Sequence, residues 1–269
     1  MEHIEYTTQF EMMVDNKIMG MPNLIESKIT FRGKNNVLIC KNNVKLENVV
    51  LEFNGSNSIV YVGSDLTDDF RLVIHNNSTG FIGKDCKFGS SVKLHIFENK
   101  NVIIGDDCVL KDNVFISNSD GYSFYNSNSK DRINFSKTIC IGDHVFLGNN
   151  VYISKGVKIG SGSIIDNASV IPSYSKIPSN VYISGNPAKI IKNNVFFTND
   201  FTGSYNFDEV IDSQDYKSNV FIYEVVNDET LSFEDIDNIL SDLDVEYRLE
   251  FIQKLFIRNK RKNRFSIKF

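Results

Sequence analysis

The chain has 269 residues, a formal net charge of −5 and an isoelectric point near 5.5. This acidic balance argues against a general nucleic-acid binder, whose affinity depends on cations that neutralise phosphates. The sequence contains no apolar run of about 18 residues, which a transmembrane helix needs. Its N-terminus mixes charges with Phe and Met and does not look like a secretory signal, so we expect a cytoplasmic protein.

Residues 1–35 are weakly patterned and are predicted to form an N-terminal cap. From residue 36 onwards, short runs rich in Val, Ile and Leu alternate with turns rich in Asn, Gly, Ser and Asp. This alternation predicts many short strands and excludes helix.

A six-residue unit repeats eight times between Ile141 and Ala188. The first positions are Ile141, Leu147, Ile153, Ile159, Ile165, Ile171, Ile177 and Ile183. The fifth positions are Val145, Val151, Val157, Ser163, Ser169, Ser175, Val181 and Pro187. None of these sixteen is charged, although a composition with 23% charged residues would place roughly four charges among them. The pattern therefore predicts two buried rows.

Longer repeats, each the size of a coil, start at Cys40, Val62, Ile82, Ile104, Ile141, Ile159 and Ile177. The last two intervals equal three six-residue units, which make one triangular coil, and stacked coils make a parallel β-helix over residues 36–192. The interval from Ile104 to Ile141 is about twice that length, which indicates a loop insertion, placed at residues 117–136. An oversized loop on a regular scaffold is the first place to look for function.

After Lys192 the repeat stops, and residues 193–269 are predicted to form a small, mainly helical extension. We expect a strand over 221–226, a helix that begins after Ser232 and ends near Asp242, and a second helix from Asp244 to about Lys260. Residues 251–269 carry seven basic side chains and no acidic one. This basic end either binds anionic lipid at the inner face of the membrane or a polysaccharide-synthesis partner, or is simply a solvated helix end.

The cysteines and histidines do not form a metal-binding pattern. Cys40, Cys86, Cys108 and Cys140 show no Cys-x-x-Cys spacing, and the four histidines do not cluster with them. Cys86 and Cys108 occupy the same repeat phase in successive coils, which indicates small buried apolar groups rather than a disulfide.

Two segments carry a resemblance to a known family. They are Ile141-Gly142-Asp143-His144-Val145-Phe146-Leu147-Gly148 and the coil end Ser184-Gly185-Asn186-Pro187-Ala188-Lys189-Ile190-Ile191-Lys192. Together with the repeat, they resemble the hexapeptide-repeat acyltransferases, nearest the bacterial capsule, sialic-acid and galactoside-type O-acetyltransferases. The resemblance implies a left-handed parallel β-helix, a homotrimer with sites between subunits, and acetyl-CoA as the acyl donor without a metal.

The loop insertion departs from the resembled pattern at its most important position. Relatives carry a histidine after Asp-Gly as the general base, whereas this chain reads Ser119-Asp120-Gly121-Tyr122-Ser123. Tyrosine, whose ordinary pKa is about 10, is a poor base unless its phenolate is stabilised. Three alternatives stay open: an enzyme with another base, a binding module that has lost the chemistry, or a histidine-to-tyrosine variant of an active enzyme.

The predicted catalytic site comprises Asp120, Tyr122 and Phe146, with His144 as a substitute base and His95 as a weaker candidate for the same role. Phe146 stands where many relatives have a tryptophan that walls the pocket, and a role as a simple corner cover is the alternative. His144 occupies the fourth position of its unit, where we expect a corner exposed to solvent.

The resemblance also implies coenzyme A contacts for Asn149, Asn167, Ser173, Lys189 and Lys192. The two lysines supply positive charge for phosphate groups, and solvated coil-end lysines are the alternative. The predicted function is O-acetylation of a carbohydrate, with a bacterial surface polysaccharide or its precursor as the preferred acceptor. An amino-sugar nucleotide N-acetyltransferase and a noncatalytic trimeric scaffold are the alternatives.

Overall fold

The computed structural model describes residues 1–268 and shows a left-handed parallel β-helix of triangular cross-section, followed by a mainly helical C-terminal part. The predicted fold class is confirmed. Each coil contributes short strands to three faces, which we number in the order in which a coil meets them from residue 17 onwards. The strands are short because the chain must turn a corner about every six residues.

In spatial order, face 1 contains β2 (Lys17–Met19), β5 (Val37–Cys40), β8 (Ile59–Val62), β10 (Thr79–Ile82), β13 (Asn101–Ile104), β16 (Ile139–Ile141), β19 (Lys158–Ile159) and β22 (Lys176–Ile177). Face 2 contains the pair β3 (Asn23–Ile25) and β6 (Lys45–Glu47), then β11 (Lys87–Phe88), β14 (Val109–Leu110), β17 (Phe146–Leu147), β20 (Ile164–Ile165), β23 (Val181–Gly185) and β24 (Ala188–Asn193). Face 3 contains β1 (Glu2–Ile4), β4 (Lys28–Phe31), β7 (Val49–Phe53), β9 (Phe70–Ile74), β12 (Lys93–Ile96), β15 (Phe115–Ser117), β18 (Tyr152–Ile153) and β21 (Val170–Ile171).

The predicted repeat starts stack directly on one another along face 1. Cys40 pairs with Val62, Val62 with Ile82, and Ile82 with Ile104. Across the long insertion Ile104 still pairs with Ile141, which is followed by Ile159 and Ile177. The insertion, which is about as long as one coil, therefore leaves the register of the solenoid unchanged, because it projects outward between β15 and β16.

The interior is filled by the rows that the hexapeptide repeat predicts. All eight first-position residues are buried, as are six of the eight fifth-position residues; Ser175 and Pro187 lie near the surface. These two belong to the last coil, where no further parallel strand covers them. Cys86 and Cys108 are free, buried thiols whose sulfurs lie 3.2 Å from the carbonyl oxygens of Gly105 and Gly142.

The N-terminal residues contribute to the solenoid earlier than the repeat suggests. β2, β3 and β4 pair in parallel with β5, β6 and β7, so coil-type pairing begins at Lys17. Before them, β1 runs antiparallel to β4 and a 3-10 helix spans Thr7–Met12. The division of the chain at residues 35 and 192 stays a prediction.

The C-terminal part covers the outside of face 1. Its helices are α1 (Phe207–Asp212), α2 (Phe233–Asp242) and α3 (Val245–Ile252), and a π-helical turn, Gln253–Ile257, continues α3. As predicted, Ser232 caps α2 by accepting a hydrogen bond from the Asp235 amide at 3.2 Å. The strand predicted over 221–226 is absent from the described residues, because the Phe221 carbonyl and the Tyr223 amide bond to the side chain of Asn180 instead.

A second apolar cluster joins these helices to the solenoid. Face 1 presents outward-facing apolar residues such as Phe81 and Ile103, and Phe256 and Phe265 pack against them. Burying a side chain of this size stabilises a protein by about 1.5–3 kcal/mol. Face 1 is therefore covered within the chain, and faces 2 and 3 remain accessible.

A buried ion pair reinforces this attachment. Arg264 is only 2% exposed and donates two hydrogen bonds to the Asp143 carboxylate, from Nε at 2.8 Å and from Nη2 at 2.7 Å. Its Nη2 also lies 3.1 Å from Asp106. Burial raises the pKa of Asp143, and the guanidinium opposes that shift.

Arg261 and Lys262 also donate to carbonyl oxygens of the chain. Part of the basic end therefore serves the fold, and its predicted lipid or partner contact stays a prediction.

Replacing Arg264 with Met should detach the C-terminal part. The substitution leaves Asp143 buried without its cation, which costs about 3–5 kcal/mol. Thermal unfolding and limited proteolysis would show an early transition confined to residues 193–268. The exposed Arg258→Met is the control and should change stability by less than about 0.5 kcal/mol. Equal stability of the two variants would contradict this role for Arg264.

Candidate functional site

Phe146 lies on the outer surface of face 2, near the middle of that face. It is half-buried, and it pairs in register with Val109 on one side and Ile164 on the other. The Phe197 ring packs against it edge-on, with ring centroids 5.6 Å apart. Phe146 and Phe197 thus form an apolar surface on face 2, and the role of Phe146 in a substrate pocket stays a prediction.

The loop insertion leaves the solenoid at the corner between faces 3 and 1 and is held by polar contacts at its base. Asn134 is buried, and its amide nitrogen donates to the Asp120 carboxylate at 2.8 Å and to the Tyr122 carbonyl at 2.7 Å. Its side-chain oxygen accepts from the Phe124 amide at 2.7 Å. Lys155, from the next coil, forms an ion pair with Asp120.

These contacts give Asp120 a structural role. Burial opposes its ionisation, but the hydrogen bonds from Lys155 and Asn134 lower its pKa below the ordinary value. Asp120 is therefore a fixed carboxylate that anchors the loop and positions Tyr122. Its direct part in catalysis stays a prediction.

The side chain of Tyr122 is 82% exposed. Its neighbours in the loop form an uncovered apolar edge consisting of Phe124, Tyr125, Ile133 and Phe135. Loop aromatics exposed together in this way are typical of an interaction surface.

Tyr122 and Phe146 do not meet within one chain. The loop lies at the corner where faces 3 and 1 join, and in a triangular cross-section this corner is opposite face 2. The body of the solenoid therefore separates the two residues. Only a second copy can bring a loop such as this one to the Phe146 wall.

His144 is buried in this structure, and its predicted role as a substitute base stays a prediction. The expectation that it faces solvent is wrong, because the C-terminal segment folds over its corner and leaves the ring with no exposed surface. The ring is stacked between Phe197 and Phe221, with centroid distances of 3.9 and 4.0 Å. Its Nδ1 lies 2.7 Å from an Asp107 oxygen, and its Nε2 lies 2.9 Å from the Phe197 carbonyl.

His95, the weaker candidate in the sequence, is the more accessible of the two. It lies on the outer surface of face 3, beside Phe97 and Phe115, and is paired in register with Ser117 at the start of the loop. Burial, together with nearby cations such as Arg71, lowers its pKa below the ordinary value for histidine. This shift favours the uncharged ring and makes it a weaker base than an ordinary histidine.

The predicted coenzyme A contacts fall on two sides of the prism. Lys189 and Lys192 are exposed on β24, at the C-terminal end of face 2, without an ion-pair partner among the described residues. Asn149 and Asn167 stack at the adjoining corner, where the Asn149 amide donates to the Asn167 side-chain oxygen at 2.7 Å. Ser173 lies at the corner opposite face 2, on the same side as the loop.

The C-terminal segment beside Phe146 was not predicted from the sequence. Residues 197–201 and face 2 together line a pocket of about 240 Å³ that includes Phe146, Lys87 and Lys111. Asp107, which helps to hold this segment, was missed as well. The segment lies far beyond Phe146 in the sequence and no periodicity connects the two, so only its aromatic composition could have drawn attention to it.

Within residues 1–268, no group of three or more His, Cys, Asp or Glu side chains is placed to hold a metal ion. None of the helices in this part of the chain is long and apolar enough to cross a bilayer.

Comparisons with known proteins agree with this architecture. A family model described as "Bacterial transferase hexapeptide (six repeats)" matches residues 141–173, and one described as "Hexapeptide repeat of succinyl-transferase" matches residues 81–118. Comparison with curated proteins gave no match at a significant level.

Two solved structures are similar over nearly their whole length. The polySia-specific acetyltransferase NeuO is 31% identical, with a TM-score of 0.64, over 74% of this chain and 93% of its own. The polysialic acid O-acetyltransferase OatWY is 27% identical, with a TM-score of 0.64, over 76% of this chain and 97% of its own. The chain therefore belongs to the hexapeptide-repeat acyltransferases, which confirms the resemblance seen in the sequence.

Replacing Asn134 with Ala should loosen the loop without unfolding the solenoid. The change removes three hydrogen bonds that fix residues 120–124, whereas the coils keep their register. Hydrogen–deuterium exchange should rise at least about tenfold over residues 119–126, with protection of face 1 unchanged. Asn128→Ala, in the exposed tip of the same loop, is the control. An unchanged exchange rate in N134A would show that other contacts hold the loop.

Proposed function

We propose that this protein transfers an acetyl group from acetyl-CoA to a hydroxyl of an acidic surface glycan, in a homotrimer whose sites lie between subunits. The observation that carries this proposal is the placement of the loop opposite the Phe146 wall, because the two can meet only across a subunit boundary. Similarity to two acetyltransferases described as acting on polysialic acid supports a glycan that carries carboxylates.

In the proposed trimer, faces 2 and 3 supply the contacts because face 1 is covered by the C-terminal helices. The apolar edge of the loop, including Phe124 and Phe135, is then buried against the neighbouring chain. Closed cyclic symmetry makes all three sites equivalent.

The proposed reaction joins the acceptor oxygen to the thioester carbonyl carbon and breaks the bond from that carbon to sulfur. The acceptor hydroxyl loses one proton and the departing sulfur gains one, so the step is balanced. In this proposal, Tyr122 of one subunit hydrogen-bonds the hydroxyl or the developing oxyanion. Phe146 of the next subunit shields the thioester from water.

Tyr122 also motivates the second candidate, a trimeric glycan-binding protein without turnover. A histidine base contributes typically 10²–10⁴-fold to such a transfer, and tyrosine replaces it here. Release of free CoA during incubation with acetyl-CoA and a glycan panel distinguishes the two. Glycan binding without CoA release would favour the binding protein and contradict the proposed activity.

The shared site predicts complementation between inactive variants. Tyr122→Ala and Phe146→Asp each remove one half of every site, so each alone should lose at least about tenfold in kcat/KM. Co-expressed in equal amounts, they assemble at random, and about a quarter of all sites in the resulting population combine an intact loop with an intact wall. Activity should therefore return to about that fraction. Mixed trimers no more active than either parent, or full activity of Tyr122→Ala alone, would overturn the shared site.

If Lys189 and Lys192 bind the donor, their replacement should weaken the binding of CoA. Replacing Lys189 and Lys192 with Ala should weaken CoA binding at least about thirtyfold, because each of the two charge-assisted contacts to a phosphate contributes about 1 kcal/mol or more. Calorimetry with CoA and with dephospho-CoA makes the test specific. A contact to the 3′-phosphate predicts that both proteins bind dephospho-CoA equally. If the double variant bound CoA and dephospho-CoA with equally reduced affinity, the lysines would contact a part of the cofactor other than the 3′-phosphate. If its affinity for CoA were unchanged, the lysines would not belong to the donor site.

A further inference from the structure

The pocket beside Phe146 is built as much from the C-terminal segment as from the solenoid. We call residues 194–201 the strap. Face 2 provides the floor of the pocket with Val109, Leu110 and Phe146, and the strap provides the wall with Phe197 and Phe201. A solenoid that ended at β24 would leave this part of face 2 as an open surface.

The strap is fixed to the solenoid at several points. Asn199 donates to the two Asp107 oxygens at 2.9 and 3.0 Å, and the Val195 amide donates to the Asn180 carbonyl at 2.9 Å. His144 links Asp107 to the Phe197 carbonyl from below. Burial opposes ionisation of Asp107, yet the hydrogen bonds from His144 and Asn199 lower its pKa below the ordinary value. The carboxylate therefore stays charged and keeps accepting these bonds at neutral pH.

The chemistry of the pocket suits a sugar that carries a carboxylate. Phe201 is 75% exposed at the rim, which leaves an aromatic face free to pack on the apolar face of a sugar ring. Lys87 and Lys111 border the same pocket, and neither has a carboxylate within ion-pair distance among the described residues. Asp200 also lines the pocket, so the two ammonium groups outnumber the one carboxylate among its lining residues. Asp107 lies near Lys87 but is not part of the lining, and its oxygens already accept hydrogen bonds from Asn199 and His144. Such a cationic excess next to aromatic walls attracts an anion that also has apolar surface.

The position of the pocket along face 2 separates it from the donor lysines. Lys87 lies on β11, two strands from Phe146, whereas Lys192 lies on β24, three strands from Phe146 in the opposite direction. With about 4.8 Å between neighbouring strands, these distances are roughly 10 and 14 Å along the axis. A donor whose phosphates lie near Lys192 and whose thioester reaches Phe146 leaves the strap pocket to the acceptor.

We propose that the strap is the acceptor-binding wall of the site, with Phe201 determining acceptor specificity and Asp107 and His144 positioning the strap. The ligand class is a carboxylate-bearing sugar. This inference rests on the proposed function and adds a specificity element that comes from outside the solenoid.

Direct binding tests the wall without requiring turnover. The probes are a short oligosialic acid, maltotetraose as a neutral glycan, and CoA, each measured by calorimetry on the full chain. Phe201→Ala should weaken oligosialic acid binding about tenfold and leave CoA binding unchanged. Phe207→Ala, an exposed aromatic substitution elsewhere in the C-terminal part, is the matched control and should change neither. Unchanged oligosialic acid binding, weaker CoA binding, or equal affinity for maltotetraose would overturn the proposal.

Steady-state kinetics of Asp107 variants test whether Asp107 positions the strap. Asp107→Ala frees Asn199 and His144, so the KM for the acceptor should rise about tenfold while the KM for acetyl-CoA stays the same. Asp107→Asn keeps one acceptor oxygen and should restore most of the difference. A general structural defect would instead lower kcat and raise both KM values, in Asn and Ala variants alike, and would overturn the positioning role.

The two proposals fail in different ways. In one outcome, the natural protein binds oligosialic acid specifically, loses this binding on Phe201→Ala, and yet releases no CoA. That result would support the strap as a glycan-binding wall and contradict acetyl transfer. CoA release with another acceptor, without any binding of oligosialic acid, would retain acetyl transfer and reject the strap's ligand.

Discussion

The structure depends on the stacking of the two interior rows, because their register fixes which residues face outward and where each corner falls. The first-position residues remain in line even across the enlarged coil, where Ile104 pairs directly with Ile141. A regular triangular cross-section follows, and with it the fact that the corner bearing the loop lies opposite face 2. The proposed sharing of the site between subunits therefore follows from packing in the core, beneath the surface that would touch a substrate.

The C-terminal part changes how the three faces can be used. It covers face 1 through an apolar cluster, and the pair between Arg264 and Asp143 compensates charges that would otherwise be costly to bury. It also runs past the corner of His144 and reaches face 2, where Phe197 and Phe201 contribute to the pocket. The same segment thus removes one face from assembly and reshapes another into a candidate binding site.

Much of this architecture could be predicted from the sequence because it is local and periodic. The repeat starts, the burial of Cys86 and Cys108, and the Ser232 cap depend on neighbouring residues or on a fixed period. The burial of His144 could not be predicted, since it depends on Phe197 and Phe221, which lie far beyond it in the sequence and belong to no repeat. The strand expected over 221–226 does not form for a related reason. The Asn180 side chain occupies the Phe221 carbonyl and the Tyr223 amide, which a neighbouring strand would otherwise bind.

A crystal structure of the protein with CoA and a short oligosialic acid tests the central claim most directly. The account predicts CoA on face 2 of one subunit, with its thiol at Phe146, its phosphates toward Lys192, and Tyr122 of a neighbouring subunit at the thiol. The glycan is expected under the strap, with its carboxylate toward Lys87 or Lys111. A CoA molecule bound entirely within one subunit, or a glycan on a face away from Phe146, would contradict the account.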